Sequence, residues 1–159
     1  MPSNSWRGLI EPVHRCWAGE LAVGRIKKQL LSVLERTGWL AGSGDLDLPG
    51  SLNLFVPRMA VVPQHLAETA GTLLPSQTSL IAEVASKFGG EAARAVKRRR
   101  YAEYGAPLYL LVDLEVRACT LFSRPGGSGY AHAHGPLPFG VPMPLPAPFD
   151  LELDTSRMG

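Results

Sequence analysis

The sequence predicts an α/β fold, and three observations carry that reading. A strand-like apolar run at 78–84 is followed by a helical stretch without Gly or Pro at 91–104. Two further strand-like runs, 108–113 and 118–123, come next, and a long amphipathic helix stands ahead of the whole unit at 20–37. Side-chain periods near 2 and near 3.6 alternating along one chain place helices against a sheet. At 159 residues, with 45% hydrophobic and 19% charged side chains, the chain can bury one core and is too short for two well-separated ones.

Residues 1–19 show no sustained period and contain Pro2, Pro12 and Gly19, so they read as a loosely ordered lead-in. From 20 to 37, Leu21, Val23, Ile26, Leu30, Val33 and Leu34 recur at helical spacing and Gly38 supplies a stop. Arg25, Lys27, Lys28 and Arg36 lie mostly off that stripe. The stretch 41–50 is turn chemistry, and the apolar runs 52–56 and 59–62 read as paired or consecutive strands. A short helix is expected at 63–70 and a loop containing Pro75 at 71–77.

The strand at 78–84 and the helix at 91–104 follow, with Gly105 placed to end the helix and Pro107 to prevent its continuation. The strands 108–113 and 118–123 are joined by a turn at 114–117, and a Gly-rich hairpin loop at 124–129 leads into a returning strand at 130–134. Six prolines between 136 and 148 enforce extended chain, which Phe139, Phe149, Leu151 and Leu153 should clamp to the domain. The expected organisation is a single domain over 20–153 with a short tail at 154–159.

Sixteen Lys and Arg against 14 Asp and Glu give a net charge of +2, too small to imply nucleic-acid binding without local clustering. Cys16 and Cys119 are too few and too distant for a disulfide framework or a zinc site. No apolar run approaches the roughly 18 residues that span a bilayer, and the N-terminal residues lack the apolar centre of a signal peptide. The expected compartment is the cytoplasm.

The candidate chemical site is a pair. On the 78–84 strand, alternation puts Ser79, Ile81 and Glu83 on one face, and Glu83 is the only charge in the run. A buried carboxylate must be paired, solvated or bound to a metal. On the following helix, positions 93, 97, 101 and 104 share a stripe, so Lys97 faces inward with Ala93, Tyr101 and Tyr104, while Arg98 and Arg99 face solvent. A strand-to-helix connection folds the helix back on the sheet, which lets Lys97 reach over Glu83. The residues alone leave two readings, a structural ion pair or a site that holds a divalent ion and steadies a phosphate.

Other features carry less. Arg94, Arg98, Arg99 and Arg100 form the one basic cluster, a solvated helix face or a phosphate contact. His132 and His134 point the same way but lack a third ligand. Gly126, Gly127 and Gly129 fit a hairpin turn, and Cys119 fits core packing.

The run Glu83-Val84, the helix ending Lys97-Arg98-Arg99-Arg100-Tyr101-Ala102, and the block from Gly105-Ala106-Pro107 to Asp113 closely resemble the Uma-two family of restriction-endonuclease-like proteins. Thr120-Leu121-Phe122, the Gly-rich hairpin and Leu145-Pro146-Ala147-Pro148-Phe149 continue the resemblance, which covers about residues 20–153 and is strongest after 78. It implies membership of the PD-(D/E)XK nuclease superfamily: a restriction-endonuclease-like mixed sheet flanked by helices, and hydrolysis of nucleic acid assisted by Mg²⁺ or Mn²⁺. Glu83 matches the strand glutamate that holds the metal, and Lys97 matches a catalytic lysine relocated to the helix. DNA is the implied partner, with a homodimer as the implied assembly. Arg58, Arg94, Arg98 and Arg100 are the implied nucleic-acid contacts.

The sequence departs from the family pattern at the preceding strand. In Val56-Pro57-Arg58-Met59-Ala60, Arg58 stands where the family has its principal metal-binding Asp, placing a fixed positive charge where the ion should sit. Ala93 replaces an acidic residue one turn before Lys97, and Glu11 and Glu20 match the family's N-terminal glutamate only loosely. Two functions follow from the resemblance: a metal-dependent endonuclease, or a catalytically inactive module of the same fold that binds nucleic acid or protein.

Overall fold

The computed structural model describes residues 16–51, 54–86 and 90–159. Helix α1 runs from Trp17 to Thr37, three residues earlier than its apolar stripe indicated. Cys16 is the reason: its backbone is extended and its Sγ accepts from the Gly19 N–H, capping the helix. Gly38 ends it in the left-handed conformation, its N–H bonded to the Leu34 carbonyl. Of the predicted lead-in, residues 1–15 lie outside the described residues.

Six strands form the central sheet in the order β1-β4-β5-β6-β7-β8, where β1 is Trp39–Gly42, β4 Met59–Pro63, β5 Leu80–Ala85, β6 Leu108–Asp113, β7 Ala118–Gly126 and β8 Gly129–Pro138. Only β5 and β6 pair in parallel, because α3 (Glu91–Glu103) crosses between them; every other neighbour is antiparallel. The sheet is mixed, as the family resemblance implies. The runs read at 52–56 and 59–62 give consecutive strands rather than a pair: β4 pairs with β1 and β5, and β3 (Leu54–Phe55) forms a separate ribbon with β2 (Leu46–Asp47), residues 52 and 53 lying outside the described residues. A short helix α2, Gln64–Thr69, follows β4 directly.

The hairpin after β7 is tighter than its glycines indicated, since β7 and β8 pair up to Gly126 and Gly129. β8 continues through Pro136 and Pro138, beyond the expected end at 134, beside a register shift between Cys119 and Leu121 of β7. Gly135 makes that shift possible: its φ is +121°, and a Cβ there would stand 2.6 Å from the Cys119 carbonyl oxygen.

The sheet separates two cores. One face packs Ile26, Leu30 and Val33 of α1 against Met59, Val61, Leu80, Leu110 and Val112. Two late strands, β9 (Met143–Leu145) and β10 (Leu151–Leu153), pair as a ribbon on the same side, with Phe149 between them. The residues set apart as a tail belong to this core, for Thr155 and Met158 are each about 1% exposed. The other face packs Tyr101 of α3 against Phe55, Val62, Ile81 and Tyr109. Among the described residues, no helix is long and apolar enough to cross a membrane.

Candidate active site

The site lies where β5 ends and β4 begins. Ile81 of β5 packs on the α3 side of the sheet while Leu80 and Ala82 pack on the α1 side, so alternation carries Glu83 toward α3. Glu83 is 7% exposed, the one charged residue in the buried class among those described. Lys97 reaches it from α3, with Nζ 3.1 Å from Glu83 Oε1, which is the approach expected of this pair. The same ammonium donates to the Val56 carbonyl at 3.3 Å, tying α3 to the segment that leads into β4. Lys97 therefore uses two of its three N–H groups on protein oxygens among the described residues, leaving one for an incoming oxygen.

Arg58 immediately precedes the neighbouring strand, β4. Met59 pairs with Ala82, so the antiparallel register brings Arg58 and Glu83 to the same end of adjoining strands. Its guanidinium does not line an open cleft: the side chain is 9% exposed, and Nη2 bonds Glu20 Oε1 at 3.1 Å. Gly19 gives it room on α1, since a Cβ there would lie 2.6 Å from Arg58 Nη2. Two ion pairs thus meet one end of the sheet, Glu20 with Arg58 on α1 and Glu83 with Lys97 on α3.

Glu20 is the residue that sequence reasoning left aside. With α1 starting at Trp17, Glu20 falls in the first turn of the helix. The signal that could have found it is Arg58 itself, because a guanidinium beside an apolar strand needs a carboxylate partner.

The basic cluster of α3 is mostly engaged. Arg98, expected to face solvent, instead lies over the Phe122 ring at 4.6 Å. The reason is that β7 passes beneath α3 and presents Phe122 on that side. Arg100 and Arg99 both pair with Glu103, at 3.1 and 3.3 Å. Arg94 is half-buried one turn before Lys97. His132 and His134 are exposed on β8, on a different strand from the two ion pairs, and Cys119 is fully buried.

Tyrosines surround the acid. Burial raises the Tyr101 and Tyr109 hydroxyls well above the ordinary tyrosine range, and the Glu83 charge adds to both shifts. Neither hydroxyl has a hydrogen-bond partner among the described residues. Tyr130 is also pushed up by burial, and its hydroxyl donates to the Ala106 carbonyl at 2.9 Å.

The mixed sheet, with helices on both faces, brings a strand carboxylate and a helix lysine together at one sheet end. A family model described as "Putative restriction endonuclease", Uma2, matches residues 11–156, and the chain belongs to that family. A crystal structure titled as a putative nuclease belonging to DUF820, from Anabaena variabilis, is similar in fold: TM-score 0.69 at 15% identity, over 93% of this chain and 83% of that one. No curated protein matches the chain.

The family's chemistry implies a divalent cation, and the residues in place do not fit one. Mg²⁺ requires a compact shell of oxygen ligands. Here the Glu20 and Glu83 carboxylates each meet a cation of the chain, and the adjoining position holds a guanidinium that cannot be deprotonated. No group of three or more His, Cys, Asp or Glu able to hold a metal occurs among the described residues.

Proposed function

We propose that this chain is a nucleic-acid-binding member of the endonuclease family in which cleavage supported by Mg²⁺ or Mn²⁺ has been lost. One observation carries the reading: Arg58, where the family resemblance calls for a metal-binding Asp, is buried against Glu20 next to the Glu83–Lys97 pair. An arriving divalent ion would have to displace a guanidinium and sit beside its charge, whereas each carboxylate is already neutralised within the protein. Glu83 and Lys97 then act as a positioning pair, with the remaining N–H of Lys97 directed to a phosphate oxygen. DNA is the proposed partner and the cytoplasm the proposed location. The free thiols of Cys16 and Cys119 support the latter, since they suit a reducing compartment.

The test is a supercoiled-plasmid nicking assay with Mg²⁺ or Mn²⁺, run on the parent chain, Arg58→Asp, and Arg58→Asp combined with Lys97→Ala. The parent should bind the plasmid with a steep salt dependence and leave it uncut. Arg58→Asp should gain metal-dependent nicking that the added Lys97→Ala removes. Nicking by the parent that disappears in Lys97→Ala would overturn the proposal. If Arg58→Asp does nick, its mass in solution tests the homodimer, the assembly suited to cutting two strands.

A further inference from the structure

Arg98, Arg99 and Arg100 of α3 are engaged on Phe122 and Glu103, and α1 offers a second cationic surface. Between α1 and the C-terminal residues lies a groove of about 540 Å³, whose wall includes Glu20, the acid bonded to Arg58. Arg25, Lys28 and Arg157 line it, and none of the three has an ion-pair partner among the described residues. Asp154, the other acid in the wall, accepts from the Ser156 N–H at 2.9 Å, which holds its carboxyl below the usual range, and the nearby Arg157 charge lowers it further. Arg25 Nη1 donates to the Arg157 carbonyl, which holds the C-terminal turn and its one cation, Arg157, against the helix.

The exposed stripe of α1 continues from this groove. Positions 17, 21, 24 and 28 repeat every three or four residues and so share one side of the helix. Lys28 stands at one end of that stripe and Trp17, 87% exposed, at the other. Between them Leu21 is 56% exposed, and a Cβ at Gly24 would meet nothing within 4 Å, leaving a low floor. At the rise of an α-helix, Trp17 and Lys28 are about 16 Å apart along the axis, a span of a few nucleotides.

Cations outside close salt bridges and an exposed indole are the two elements that bind single-stranded nucleic acid, the cations meeting phosphates and the ring stacking on a base. A duplex keeps its bases stacked on one another and has no use for the indole. We propose that the outer face of α1 is a single-strand platform, with Lys28, Arg25 and Arg157 holding the backbone and Trp17 stacking on an unpaired base beside the Glu20–Arg58 end of the site. The inference rests on the nucleic-acid reading above and names the form of the ligand.

The test is fluorescence anisotropy of a labelled 15-mer of thymidylate, titrated with the full chain at several salt concentrations. Lys28→Ala with Arg157→Ala should reduce the slope of log K against log[salt] by about 1.4, near 0.7 for each phosphate that is no longer neutralised. Trp17→Ala should weaken binding about 5- to 100-fold and leave the slope unchanged. Arg99→Ala, on the opposite helix, should alter neither quantity. Circular dichroism of each variant confirms that the exposed positions leave the fold intact. If the parent binds neither single-stranded nor duplex DNA, the nucleic-acid reading itself falls and the platform with it. If the parent binds but the α1 variants match it, the platform falls and the reading stands. Equal affinity for a duplex of the same length, with Trp17→Ala silent, also overturns the platform.

Discussion

The two faces of the central sheet are packed with different kinds of side chain. Toward α1 the core is mainly aliphatic, built on Ile26, Leu30, Met59, Val61, Leu80 and Leu110, with Met143, Leu153 and Met158 closing it from the C-terminal side and Trp39 with Phe149 as its one ring pair among the described residues. Toward α3 it is aromatic: Phe55, Tyr101, Tyr109, Phe122 and Tyr130 meet at ring-centroid separations of 5.7–6.1 Å. The α1 side carries its charge at the sheet end, where Arg58 meets Glu20, whereas the aromatic face encloses Glu83, the one charged residue in the buried class among those described. Aliphatic side chains give area-dependent stabilisation without directional demands. Rings bring hydroxyls and polarised edges into a dry space, where they act on a nearby charge. One strand, β5, serves both sides: Leu80 and Ala82 anchor the aliphatic core while Ile81 and Glu83 belong to the other.

Variants on the two faces should therefore fail differently. Leu110→Ala, emptying a fully buried aliphatic position, should lower unfolding free energy by about 4 kcal/mol, measured by urea denaturation, because the rigid sheet cannot collapse into the space. A loss under about 1 kcal/mol would show that the α1 core is loosely packed. On the aromatic face, Lys97→Met removes the ammonium that bonds the buried Glu83 carboxylate and should cost about 3 kcal/mol in the same measurement. The exposed pair offers the contrast: Arg99→Ala, with a side chain 65% exposed, should shift stability by less than about 0.5 kcal/mol.

Alkaline pH should sharpen the comparison further. Burial holds the Tyr101, Tyr109 and Tyr130 hydroxyls above their ordinary range and pushes the Cys119 thiol from 9.0 to about 12. The folded state thus retains protons that the unfolded chain releases. Stability should be complete below pH 9, decline through Cys119 between pH 9 and about 12, and fall faster above pH 10 as the tyrosines of the unfolded chain ionise. Chemical denaturation across that range checks it, and Cys119→Ala should delay the onset toward pH 10. Tyr101→Phe should act in the opposite direction, because it removes a buried hydroxyl without a partner among the described residues. It should be neutral or stabilising by up to about 1 kcal/mol, and a clear loss would reveal a hydrogen bond to that oxygen.

The elements of the fold were legible wherever a period ran long enough. α1, β5, α3, β6 and β7 each sit within a few residues of the stretch that predicted them. β1 escaped because four residues of mixed burial, ending in Gly42 and directly following a helix, carry no alternation to read. The pairing of β4 escaped for a different reason, since register with Trp39–Gly42 across an intervening ribbon is a property of the assembled sheet. In the site, Glu83 and Lys97 are 14 residues apart within one strand–helix unit, so local geometry was enough to bring them together. Glu20 and Arg58 are 38 residues apart on elements joined only by the core, and no periodicity says which carboxylate meets which arginine. Arg98 shows the limit of a helical wheel: its outward position was correct until Phe122 arrived beneath it.

The placement of Thr155 and Met158 has a consequence for how the chain is made. α1 is synthesised before the sheet, yet the residues that finish covering its apolar side, Met143, Leu145, Phe149, Leu153 and Met158, follow more than a hundred residues after its end. The hydrogen bonds of Gln29 with Asp154 and of Arg25 with Arg157 span 125 and 132 positions. Long-range closure of this kind slows folding and keeps hydrophobic surface exposed meanwhile. A nascent chain halted before residue 143 would therefore carry an assembled central sheet with one side of α1 still open, a natural target for chaperones and proteases.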